Sequence, residues 1–98
     1  MTKTNFCIGI NIKTAKGFET IGKFNIGHEK GRATDLFKRL EGSSSVDESS
    51  LLTMELIESV QELPVNLLMI SCNLEQLAAN CREISKEIFK MKNLKEIT

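Results

Sequence analysis

The chain has 98 residues, of which 41% are apolar and 27% are charged, and it contains a single proline. This length and composition predict one globular domain rather than a disordered or fibrous chain. Thirteen basic and thirteen acidic residues cancel, so no global field is available to attract nucleic acid or an anionic membrane.

The first half of the chain predicts a β-hairpin followed by a helix. Residues 5–13 alternate between apolar and polar side chains, as in a half-buried strand. A turn over 14–17 leads into a second strand over 18–26, in which Gly22 marks a bulge or a close backbone approach and Ile21 lies out of phase. After Gly27 the apolar spacing becomes helical until Gly42 ends the helix. The apolar residues that define this pattern are Phe6, Ile8, Ile10, Ile12, Phe24, Ile26, Ala33, Leu36, Phe37 and Leu40.

A polar connection separates the two halves. Residues 43–50 are rich in serine and acids, which predicts a flexible loop. Each flanking half is too small to fold alone. We therefore expect residues 1–98 to form a single domain with a flexible loop at 43–50.

The second half predicts the same series again. Residues 52–60 alternate, although a helix would also fit their spacing, and Leu63-Pro64 marks a turn. Residues 65–72 are apolar on both faces, which predicts a strand buried on both sides. Asn73 and Gln76 resemble a capping box that starts a helix running to about residue 94.

The order ββαββα predicts an α+β fold, namely a two-layer sandwich with a four-stranded antiparallel sheet and both helices on one face. This order is a cyclic permutation of the ferredoxin-like βαββαβ order.

The predicted sheet has two apolar faces, of which the helices cover one. We assign Phe6, Ile8, Ile10, Phe24, Met54, Leu56, Leu67 and Met69 to the covered face. The opposite face is too apolar to remain in water, which predicts sheet-to-sheet homodimerisation. The alternative is that the last helix or a terminus covers it within one subunit. The predicted interface residues are Cys7, Ile21, Leu51, Ile57, Leu68 and Ile70.

A second candidate site precedes the first helix. Unpaired N–H groups at a helix start favour anions, and the loop supplies basic side chains beside two glycines. We expect His28, Lys30, Gly31 and Arg32 to bind a phosphate or carboxylate, with ordinary solvated surface as the alternative.

No pattern in the sequence assembles an acid, a base and a nucleophile, so we name no catalytic residue and do not expect an enzyme. The absence of Trp and Tyr further disfavours nucleic-acid binding. Cys7, Cys72 and Cys81 are odd in number and form no C-x-x-C pair, which disfavours a disulfide framework or a zinc site and fits a reducing compartment.

We therefore expect a small cytoplasmic binding module without cofactor, metal or membrane span, which self-associates through an apolar sheet face. The alternative function is a sensor for a small anionic ligand.

Overall fold

The computed structural model describes residues 4–97, with side-chain surroundings for residues 4–93, and its elements follow the predicted order ββαββα. The elements are β1 (Thr4–Thr14), β2 (Gly17–Asn25), α1 (Lys30–Lys38), β3 (Leu52–Val60), β4 (Leu63–Ser71) and α2 (Leu74–Ile97). The predicted α+β class is confirmed.

The four strands form one sheet in the order β2-β1-β3-β4, with every neighbouring pair antiparallel. The first strand of each hairpin lies at the centre and the second at an edge. Because β2 and β3 both run opposite to β1, they are parallel to each other. Their connection through α1 makes a split β-α-β unit with β1 between its strands.

The core lies between the helices and one face of the sheet. Phe6, Ile8 and Ile10 alternate along β1 as predicted, and all three are buried. The partners of Ile8 and Ile10 on β3 are Leu56 and Met54. The helices contribute Ala33, Leu36, Phe37 and Ile84 to the same core.

Two bulges interrupt the edge strands. The pairing of β1 with β2 shifts between Ile10 and Asn11, which leaves Ile21, next to Gly22, without a partner. Of the two alternatives expected at Gly22, the structure shows the bulge. The pairing of β3 with β4 shifts between Leu56 and Ile57, so that Leu67 is the extra residue.

The face assignment of β4 was wrong for Leu68, Met69 and Ile70, whereas Leu67 packs against the core as predicted. Leu68 pairs with Leu56 and Ile70 pairs with Met54, and directly paired residues point to the same side of a sheet. Leu68 and Ile70 therefore lie on the helix side, while Met69, which pairs with Glu55, lies on the other side. The sequence could not give this phase, because nearly every residue of β4 is apolar and alternation is lost.

Helix α2 begins at the predicted capping box. The Gln76 N–H donates to Asn73 Oδ1 at 2.7 Å, and the Asn73 N–H donates to Gln76 Oε1 at 3.0 Å. These reciprocal bonds satisfy main-chain donors that a helix start otherwise leaves unpaired.

One buried side chain joins the two helices. Asn80 is almost fully buried in α2. Its Nδ2 donates to the Glu41 carbonyl at 2.8 Å, and its Oδ1 accepts the Glu41 N–H at 2.7 Å. Arg39 adds ion pairs to Glu83 and Glu87 at 3.7 and 3.4 Å. The segment after α1 is thereby fixed against α2.

The serine-rich loop is bonded to the sheet at several points. Ser43 and Ser71 exchange main-chain hydrogen bonds of 2.8 Å, and Lys13 Nζ donates to the Glu48 carbonyl. The Ser49 hydroxyl donates to Asp47, which lowers the pKa of that carboxyl. The loop therefore lies along the end of the sheet where β4 finishes.

Candidate interaction surface

Apolar residues on the helix side of β4 become more exposed toward the start of that strand. Ile70 is partly buried against the core, but Leu68, Val65 and Leu63 are 38%, 51% and 69% exposed. We call Leu63, Val65 and Leu68 the β4 strip. Its residues lie on the side of the sheet that carries the core, yet water reaches them.

The path of α2 explains this gradient. The helix begins beside the end of β4, where Leu74 shares a groove with Ser71 and Cys72. Further along, Met91 shares a cavity with Asn25 and Gly27, which lie at and just beyond the end of β2, the opposite edge strand. The helix therefore crosses the sheet diagonally, and the first half of β4 lies outside its cover.

Phe89 adds a further apolar side chain on α2, and it is 60% exposed. It lies two residues after Glu87, which is about 160° around the helix. Because Glu87 pairs with Arg39 near α1, Phe89 points away from α1. The segment after α1 is the one that contacts β4, through Ser43 and Ser71, so Phe89 is not part of the β4 strip.

The edge of β4 has no charged side chain from Leu63 to Ser71. Edge strands commonly carry charges that keep them from pairing with other chains, and β2, at the other edge, carries Glu19 and Lys23. The main chain of β4 is partly protected in other ways, by Pro64 and by the bridge from Ser43 to Ser71.

The face of the sheet opposite the helices, here called the open face, is more polar than predicted. Asn11 Nδ2 donates to Glu55 Oε1 at 3.0 Å, and the Thr20 hydroxyl donates to Asn11 Oδ1 at 2.6 Å. The Glu55 side chain lies over Gly9, where an added Cβ would be 3.6 Å from Glu55 Cγ. Although Glu55 is only 9% exposed, the described residues offer it no ion pair within 4.0 Å.

Sequence reasoning missed this polar cluster, because Asn11, Thr20 and Glu55 each occupy an ordinary polar position in an alternating strand. Their meeting depends on the pairing of three strands, which no local pattern encodes. Glu55 directly opposes Gly9.

The predicted interface residues do not form one surface. Cys7 and Ile57 are paired on the open face, whereas Leu68 and Ile70 lie on the helix side. Leu51 precedes β3 and is 71% exposed. It lines a groove of about 990 Å³ at the start of α2, together with Ile12, Leu52 and Leu74 and three serines.

The predicted anion site is only partly assembled. Lys30, Gly31 and Arg32 form the exposed first turn of α1, but His28 Nδ1 lies 2.9 Å from the Thr4 carbonyl, to which it donates. Arg32 lines a surface cavity of about 640 Å³. That cavity carries more acids than bases, its other charged residues being Glu29, Asp35, Arg39 and Glu87.

The three thiols are free and partly buried. Burial raises the pKa of Cys72, with a smaller contribution from Cys81, and burial also raises the pKa of Cys81. These two thiols therefore carry less thiolate near neutral pH than free cysteine, which makes them poor nucleophiles.

Among residues 4–97 no helix is long and apolar enough to cross a membrane. The same part of the chain brings no three His, Cys, Asp or Glu side chains together in a metal-binding group.

No protein-family model, no curated protein and no solved structure matches this chain.

Proposed function

We propose that this chain is a small protein-interaction module that self-associates as a homodimer. The observation that carries the proposal is the rising exposure of apolar residues along the helix side of β4, from Leu68 to Leu63. Contiguous exposed apolar residues of this kind favour association sites, and α2 leaves them uncovered.

The size of the β4 strip sets the expected strength of the dimer. Fully burying a Leu, Val or Phe side chain is worth about 1.5–3 kcal/mol, and the strip residues are roughly half exposed already. The strips of two copies would therefore supply on the order of 5–10 kcal/mol, against an association cost of about 4–15 kcal/mol. The largest net gain from these ranges is about 6 kcal/mol, so we expect a dissociation constant of about tens of micromolar or weaker.

The open face supports self-association less well. Its centre holds Glu55 and Asn11, and covering a carboxylate without a cation is costly. The proposal therefore keeps the homodimer predicted from the sequence but moves its interface from the open face to the β4 strip.

Sedimentation velocity over about 1 µM to 1 mM tests the proposal, because a weak dimer populates only at the upper end of that range. The sedimentation coefficient should rise with concentration from the monomer value to the dimer value. A single monomer species throughout would overturn the proposal.

The alternative function is an anion sensor at the start of α1. One observation favours it: the Glu29 side chain makes no capping bond, so N–H groups of the first turn are available to a ligand. Phosphate should then raise the melting temperature, and Lys30→Ala with Arg32→Ala should abolish that shift. Lys16→Ala, in the turn between β1 and β2, is the matched control. Equal melting with and without phosphate would exclude the sensor.

Two finer statements remain predictions. The cytoplasmic location is the first, and the three free cysteines support it. The ferredoxin-like permutation is the second, and the strand order does not support it: the split unit here runs from the edge strand β2 to the central strand β3, whereas ferredoxin-like units run from a central strand to an edge strand.

A further inference from the structure

We propose that the second copy adds its own β4 antiparallel to β4, so that two four-stranded sheets join edge to edge. This inference rests on the proposed self-association and assigns its geometry. The two copies would be related by a two-fold axis between Leu67 and Leu68, which makes the contact self-complementary.

The main chain of β4 supplies the hydrogen bonds. Cys72 donates its N–H inward to Leu52, while Ser71 exchanges bonds outward with Ser43. Because this direction alternates along an antiparallel strand, Met69 points its N–H and C=O outward. The bulge at Leu67 shifts the alternation by one residue, so Asn66 and Pro64 point outward too.

The stretch of β4 whose main chain can still pair with another strand is bounded by Pro64 and Ser71. Pro64 has no N–H to donate, and Ser71 is already bonded to Ser43. Between them, Asn66 and Met69 retain outward donors and acceptors. With the axis between Leu67 and Leu68, Asn66 of one copy faces Met69 of the other, and donors meet acceptors.

The side chains fit the same arrangement. Edge-to-edge pairing places the helix sides of both sheets next to each other. Leu68 of each copy then lies beside the axis, and Val65 faces Ile70 of the second copy. Since Leu63–Ser71 carries no charge, no like charges are opposed across the axis. The β4 edge is neutral and apolar, and Pro64 and the Ser43–Ser71 bridge limit its length. A second copy of the same strand matches it in all these respects.

Two matched lysine substitutions test the geometry. Val65 on β4 and Ile21 on β2 are β-branched edge residues, 51% and 55% exposed. Val65→Lys would face Glu58 across the strand pair, which preserves the folded monomer. We expect Val65→Lys to raise the dimer dissociation constant at least about tenfold and Ile21→Lys to change it less than about twofold, since only the first puts a charge in the interface. Leu63→Lys, at the most exposed strip residue, repeats the test.

Each sedimentation outcome decides between the two proposals. Weaker association for Val65→Lys and Leu63→Lys alone supports edge pairing. A dimer that survives both, or that Ile21→Lys weakens equally, would overturn edge pairing and the β4 strip as the interface, and would leave only self-association itself standing. A wild-type chain that stays monomeric would overturn both.

Discussion

Two glycines have opposite requirements at the scale of single residues. Gly42 has a positive φ of 154°, and an added Cβ would lie 2.6 Å from the Ser71 carbonyl. At Gly9 the nearest atom to an added Cβ would be 3.5 Å away. We expect Gly42→Ala to lower the free energy of unfolding by about 1–3 kcal/mol. Gly9→Ala should leave it unchanged or raise it by about 0.4–1 kcal/mol, because alanine loses less backbone entropy. Urea unfolding of both variants measures the contrast, and equal losses would contradict it.

Asn80 should be the most sensitive polar residue. Asn80→Ala would leave the N–H and C=O of Glu41 without their partner, and we expect a loss of about 2–3 kcal/mol in the free energy of unfolding. Asn93, whose amide donates to the Phe89 carbonyl at an exposed site, is the control, with an expected loss below about 0.5 kcal/mol. Similar losses for both variants in urea unfolding would remove the role assigned to Asn80.

The partly buried thiols Cys72 and Cys81 predict that the free energy of unfolding depends on pH. Because folding raises the pKa of Cys72 and Cys81, the folded state holds these protons more tightly than the unfolded state. Their contribution to stability is full below the unfolded pKa of about 9 and is lost as pH rises through the folded pKa. Unfolding free energies measured from pH 8 to 10.5 should therefore fall more steeply for the wild type than for the Cys72→Ala, Cys81→Ala double variant. Parallel curves would show that the thiols do not contribute.

At the scale of elements, the start of α2 was correctly predicted because a capping box is a local pattern. Asn73→Ala should cost about 1 kcal/mol of stability, whereas Asn73→Asp retains an oxygen acceptor and should cost a few tenths at most. Thermal or urea unfolding distinguishes the two variants, and an Asp variant as unstable as the Ala variant would argue against the cap.

The strands show where sequence reasoning stops. Alternation set the phase of β1 correctly, since Phe6, Ile8 and Ile10 are separated by other kinds of residue. In β4 apolar residues follow one another, and the bulge at Leu67 moves Leu68 and Ile70 to the helix side. The polar cluster around Glu55 likewise needed the register of three strands. Patterns within one element were therefore readable, and relations between elements were not.

At the scale of the whole molecule, the diagonal path of α2 determines which surface is uncovered. The helix starts over the end of β4 and reaches the opposite edge of the sheet, beside Asn25 and Gly27. One long helix and one short helix cannot cover all four strands, and the uncovered corner is the first half of β4. Self-association through that corner would complete the helix-side layer with a second copy.

Amide hydrogen exchange by NMR tests this account most directly. The Met69 and Asn66 N–H groups point outward from the β4 edge and should exchange rapidly in dilute solution but slow markedly at concentrations where the dimer forms. The Lys23 N–H, which points outward from the β2 edge, should exchange rapidly at both concentrations. Exchange at Met69 and Asn66 that stays fast while the protein is dimeric would contradict pairing through β4.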